Sequence, residues 1–381
     1  MKTTSFFLFL MCFVAFESCK KTDEPAPSST AYTLTISNGE GSGTYKTGDS
    51  VYVFSNAANA TQVFDKWTGD VSALVNPNEF RAVAKMPSAN VQLTATYKTI
   101  PAIEFTNVVI NGSQVYYYVP TTYRGIILPF HGLGGNATGW TKSNLENLEF
   151  CKYAAANGYA LVITESKDRT NKRWDASGVS SVDITNIDVI LKSLQTSGII
   201  ANKPLYGVGM SQGSGFCSLI SYVKNYKAGA LYCVPGIAAV FDVSTVPVIW
   251  NMARKDVTEE PNRLIDAKAN YDKLVKRNVS SVYYVNEPTP VYASRFTIIS
   301  GIDLAGSTLI YNALKNGGYL DAKGFFNIDP RLSNAWYAAI PAPYNNAAYV
   351  PHIEDQVFVA YAQHKFYKDS NFRTIDFFNK F

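Results

Sequence analysis

Histidine is scarce in this chain, with three in 381 residues. That scarcity excludes a His-rich metal cluster, and it leaves any imidazole base to be chosen among His131, His352 and His364. Cysteine is nearly as rare, with five, and the three beyond the leader (Cys151, Cys217 and Cys233) lie in apolar stretches. At most one bridge could form among them, so a disulfide framework is excluded and buried free thiols are expected. No Cys/His cluster has metal-ligand spacing, and we expect neither a metal nor a cofactor. Charge of either sign is sparse. A net charge of +4 with 17% charged residues excludes nucleic acid as a partner. No apolar run is long enough to span a bilayer; Phe6 to Phe16, after one early Lys, has the length of a secretion signal instead.

What is abundant is apolar and aromatic: 47% hydrophobic residues and 25 tyrosines. This length and composition suit a globular chain of more than one domain. Ser18-Cys19 followed by Lys20-Lys21-Thr22-Asp23-Glu24 resembles the cleavage site of bacterial lipoproteins, a resemblance that implies a lipidated Cys19 at the start of the mature chain. Residues 1–19 are therefore read as a leader and 20–31, with Pro25 and Pro27, as a tether. Residues 32–98 alternate in short strands with glycine turns and are read as a small all-β unit. Its run of landmarks, Gly41-Ser42-Gly43-Thr44-Tyr45, Gly48, Phe64-Asp65-Lys66-Trp67, Met86-Pro87 and Val91 to Tyr97, resembles the divergent internalin-type B-repeat. The unit carries no catalytic constellation. Trp67 is expected in its core rather than as a sugar platform, and the unit is expected to serve spacing or attachment, so that a chain begun near Ile103 would keep its turnover.

From residue 102 strands alternate with helices, the pattern of a largely parallel sheet sandwiched by helices. One strand run ends in Gly207-Val208-Gly209-Met210-Ser211-Gln212-Gly213 and opens directly into an apolar helix. Gly-x-Ser-x-Gly between a strand and a helix is a candidate nucleophile elbow, with Ser211 at the carboxyl edge of the sheet where ligands bind in such folds. An earlier strand, Ile126 to Phe130, runs into His131-Gly132-Leu133-Gly134-Gly135, a loop whose bare backbone can approach a developing oxyanion. Together these resemble the α/β-hydrolase family over residues 102–381. The resemblance implies an oxyanion hole from the N–H groups of Leu133 and Gln212, and the chain order serine, acid, histidine. His131 precedes the serine and is set aside as base. The acid is expected after the strand Val246 to Met252, at Asp256, with Asp242 in reserve and Glu259 or Glu260 behind it. Between the remaining histidines, His364 before the closing helix is preferred and His352 held in reserve. Residues 288–360 are read as a helical insertion, with Phe296, Ile298, Leu309, Ile310 and Leu314 as its core. Trp336, Tyr337, Tyr344 and Tyr349 suit a substrate cleft and plain packing equally.

The expectation is a secreted or surface-tethered serine hydrolase, a carboxylic ester hydrolase working through an acyl-enzyme, with an ester substrate that is a candidate polymer. It would be held at the outer membrane or cell surface by the lipid on Cys19. A peptidase of the same fold and a non-catalytic surface adhesin are the alternatives.

Overall fold

The computed structural model describes residues 30–381; the leader, Cys19 and nearly all of the tether lie outside the described residues. The first unit has seven strands: β1 (Ala31–Ser37), β2 (Gly39–Glu40), β3 (Gly43–Lys46), β4 (Ser50–Ser55), β5 (Gln62–Gly69), β6 (Arg81–Lys85) and β7 (Val91–Thr99). They form two sheets, β3-β1-β7-β5 and β2-β4-β6, which close over one small core. Trp67 is 2% exposed in that core and its Nε1–H donates to the Glu79 carbonyl at 3.0 Å, so it is a packing residue, as so small a domain requires.

The second unit is built on β8 (Thr106–Ile110), β9 (Ser113–Tyr118), β10 (Gly125–Phe130), β11 (Tyr159–Ile163), β12 (Leu205–Met210), β13 (Ala228–Tyr232), β14 (Val248–Ala253) and β15 (Ser281–Asn286). The sheet order is β15-β14-β13-β12-β10-β11-β9-β8; counted from the β8 edge, that is 1-2-4-3-5-6-7-8. Pairing is parallel from β11 through β15, and β9 runs antiparallel to both its neighbours. Every residue of β10, β11 and β14 is buried, because helices cover both faces of the sheet. Those helices are α1 (Leu145–Ala156), α2 (Val182–Thr196), α3 (Gln212–Val223), α4 (Val240–Val243) and α5 (Arg263–Lys276). Separate apolar cores fill the two faces. This is an α/β-hydrolase-like sheet preceded by a β-rich unit.

Between β15 and the end of the chain lie α6 (Leu304–Asn316), α7 (Val350–Tyr361) and α8 (Asn371–Phe378). The inserted segment is less helical than the sequence suggested: only α6 and α7 are α-helices, joined by 3-10 turns and loops around their own core. Phe296, Ile310 and Leu314 are fully buried there, whereas Leu309 is 49% exposed, one helical step off the buried face. Trp336 is fully buried and Tyr344 packs edge-on against Tyr349, which favours packing over a cleft. α7 starts at Val350, with Pro351 in its first turn.

The two units are docked rather than strung on a linker. Arg373 donates to Glu79 through Nε and Nη2 at 2.8 and 2.9 Å. Arg81 Nη1 lies 3.3 Å from Asp369, whose side chain is 1% exposed. The Phe54 ring stacks on Tyr292 at 4.0 Å between centroids. Of the hydrolase residues in this contact, Asp369 and Arg373 follow His364 in the chain, by five and nine residues.

Candidate active site

Ser211 sits between β12 and α3 with φ 55° and ψ −125°, a backbone conformation costing on the order of 1–3 kcal/mol for a residue with a side chain. The surroundings impose it. The Ser211 N–H donates to the Tyr232 carbonyl at 3.0 Å. The Ser214 hydroxyl lies 2.7 Å from the Gly209 carbonyl and accepts from the Tyr232 N–H at 3.0 Å. A Cβ on Gly213 would stand 2.3 Å from the Phe130 carbonyl oxygen, so α3 can begin this close to β10 only with glycine there. The turn is thus the strained strand-to-helix elbow that the Gly-x-Ser-x-Gly spacing suggested.

The loop after β10 passes directly over this turn. A Cβ on Gly132 would lie 3.2 Å from the Ser211 Cβ. His131 is 4% exposed; its Nδ1 lies 2.7 Å from the Gly132 carbonyl and its Nε2 accepts from the Ser166 N–H at 3.3 Å. Burial pushes its pKa down to about 4, so the ring is a neutral brace for the loop. Behind the nucleophile, the Gln212 side chain grips the Trp174 backbone from both ends, accepting from its N–H at 3.0 Å and donating to its carbonyl at 2.8 Å. A cleft lined by Asp168, Arg173, Asp175 and Gln212 opens there. With their flanking chain held in this way, the N–H groups of Leu133 and Gln212 take no protein acceptor among the described residues.

Asp256 follows β14 and is 2% exposed. His364 stands three residues past the end of α7, after Ala362 takes a left-handed φ of 62° and turns the chain. The Lys255 N–H donates to the Ala362 carbonyl at 2.9 Å and so ties the two loops together. His364 Nδ1 is 2.5 Å from Asp256 Oδ2. With the proton on Nδ1, this bond orients the ring and leaves Nε2 as the free, basic nitrogen. Cys233, one residue past β13, brings Sγ within 4.8 Å of both Asp256 and His364. Parallel strands are about 4.8 Å apart, and Cys233, at the end of β13, adjoins the Tyr232 that holds Ser211, so serine after β12 and acid after β14 stand two strands apart on the same edge of the sheet with Cys233 between them.

The reserve candidates fall elsewhere. Asp242 is an exposed partner of Lys273 on the surface. His352 lies in the first turn of α7 and its buried Nδ1 has no hydrogen-bond partner. Glu259 and Glu260 face Arg263 rather than a histidine. Asp256→Asn should therefore lower turnover by orders of magnitude, since it permits the wrong tautomer, and should also lower the thermal midpoint, since it takes a charged partner from the buried Arg263. Asp242→Asn should leave kcat/KM within about twofold.

Two residues at the site escaped the sequence. Arg263 Nη1 donates to Asp256 Oδ1, seven residues away in the chain, at 2.5 Å and also approaches His364, 101 residues away, and Cys233 reaches the pair from the end of β13. Cys233, Asp256 and His364 each offer a ligand atom, a grouping no sequence spacing could reveal. The arrangement suits proton transfer better than a cation: Arg263 already brings a positive charge to the carboxylate. Burial, and next the charge of Asp256, push the Cys233 thiol well up, and its S–H donates to the Lys365 carbonyl at 3.2 Å. A basic residue at the first position of a helix, where the dipole opposes it, is the one signal that marked Arg263.

Residues 32–101 match the family model of the divergent InlB B-repeat domain. No curated protein matches the chain. Similar solved structures include an esterase from Pyrococcus furiosus, at 12% identity and a TM-score of 0.37, covering 48% of this chain and 82% of that one. Est1E from Butyrivibrio proteoclasticus matches at 12% identity and 0.37, covering 49% and 90%. An acetyl xylan esterase from Aspergillus awamori matches at 12% and 0.34, covering 46% and 81%. The hydrolase-like fold of the present chain rests on its strand order and its elbow, and the chain joins an N-terminal divergent InlB B-repeat domain to an α/β-hydrolase-like sheet.

Proposed function

We propose that the protein is a serine hydrolase that cleaves carboxylic esters through an acyl-enzyme. The observation that carries this reading is the strained Ser211 elbow on the same sheet edge as a hydrogen-bonded pair of buried Asp256 and part-exposed His364. His364 Nε2 takes the proton of Ser211 as Oγ attacks the ester carbonyl, and Asp256 stabilises the imidazolium without taking the proton. The N–H groups of Leu133 and Gln212 receive the oxyanion. The imidazolium then protonates the leaving alcohol, and water repeats the cycle to free the acid and Ser211. The polar lining of the cleft beside Gln212 suits an acyl group carried on a hydroxyl-rich polymer. Turnover of p-nitrophenyl acetate or butyrate far above that of matched anilides supports an esterase; the reverse preference supports a peptidase, and no turnover of either an adhesin.

We further propose that the protein is secreted and held at a membrane surface through lipidated Cys19, a reading supported by the Ser18-Cys19-Lys20-Lys21 junction alone. Intact-mass analysis of the native protein should show a diacylglyceryl-bearing chain that begins at Cys19. An unmodified chain starting elsewhere would refute the anchor.

A further inference from the structure

The Asp256–His364 pair has a third member. Arg263 opens α5 with its side chain 6% exposed. Its Nη1 holds Asp256 Oδ1 at 2.5 Å while His364 holds Oδ2 at 2.5 Å, so both carboxylate oxygens are occupied. The same Nη1 lies 3.0 Å from His364 Nδ1. Both atoms are donors when Nδ1 carries its proton, so that approach sets a fixed cation against a ring that must itself become cationic during the reaction. Burial opposes the charge of Arg263, and its bonds to Glu260 and Asp256 hold the guanidinium protonated.

We propose that Arg263 is a positioning residue for the ester hydrolysis proposed above: it locks the plane of the Asp256 carboxylate and limits how strongly the imidazolium of His364 is stabilised. The inference rests on the serine-hydrolase reading. Other groups facing the pair are weaker or neutral. Glu259 and Glu260, on the loop before α5, are 57% and 64% exposed and screened by water, and Arg331 pairs with Glu259. From the end of β13 Cys233 presents a protonated thiol. On the histidine loop the Tyr367 hydroxyl bonds to Gln363, whose amide also holds Asp329.

The sign follows from charge. A cation beside the ring disfavours the imidazolium, so its removal raises the ring's proton affinity. The base works only when neutral, so the acidic limb of kcat/KM must move to higher pH. Arg263→Met should move that limb up by about one pH unit and lower kcat/KM near pH 7 by about tenfold or more. Arg263→Lys keeps the charge but loses the fork; it should hold the limb near that of the unaltered protein while kcat falls. An NMR titration of His364 in the Ser211→Ala background should show the same upward shift on adding Arg263→Met, without relying on turnover. A folded Arg263→Met protein with an unmoved limb and an unmoved His364 titration would overturn the proposal, as would a Lys variant shifted as far as the Met one. If the unaltered protein hydrolyses no ester and Ser211 resists acylating probes, it is the serine-hydrolase reading that fails.

Discussion

Ser211→Ala and His364→Ala should each abolish nearly all turnover of p-nitrophenyl acetate or butyrate, a loss on the order of 10⁴-fold or more. Either change leaves the Leu133 and Gln212 N–H groups with no activated nucleophile to serve, so what remains is binding and oxyanion stabilisation. The two losses should not multiply in the double variant, because serine and imidazole act as one unit. His352→Ala should keep most of the activity, since His352 meets neither Asp256 nor Ser211. A dead His352 variant beside a live His364 variant would leave the elbow standing but make the choice of base wrong.

Separating the B-repeat from the hydrolase should cost stability, contrary to its expected role as a spacer. Arg81→Met removes one charged partner of the buried Asp369 while the interface stays closed. Breaking a buried pair in this way typically costs 3–5 kcal/mol. Arg295 also lies 4.0 Å from the same carboxylate, so about 2 kcal/mol is expected here. Glu79→Gln should be milder, since an amide still accepts one bond from Arg373. A chain shortened to residues 102–381 exposes Asp369 and Arg373 to water, which restores their hydration, but it also uncovers the Tyr292 ring on which Phe54 stacked. That chain should melt lower and turn over more slowly, because the uncovered segment begins within about a turn of His364. Urea midpoints and ester turnover check all three; an unchanged midpoint and rate in the shortened chain would make the module a spacer after all.

The architecture could be read from the chain because parallel strands covered on both faces appear as continuous apolar runs, as β10, β11 and β14 do. The strand that escaped, β8, is half-exposed at the sheet edge and lacks such a run. Its hairpin with β9 nonetheless carries a signal, Asn111-Gly112, both at positive φ, the pair that a tight hairpin turn favours. Ser211 was legible because the elbow is a local motif, and Asp256 because strand ends can be located from sequence. Arg263 and Cys233 were not, since their contacts with His364 span 101 residues in the first case and depend on strand order in both. The docking of the B-repeat was hidden for the same reason: Glu79 and Arg373 are 294 residues apart, and each alone reads as an ordinary surface charge.

The central claim, that Ser211 is an activated nucleophile, is tested most directly by treating the folded protein with a fluorophosphonate probe and mapping the adduct by peptide mass spectrometry. The expected result is a single adduct on Ser211, slowed by orders of magnitude in His364→Ala and unaffected in His352→Ala. A folded protein that takes no label at Ser211, or that takes it equally well without His364, would contradict it.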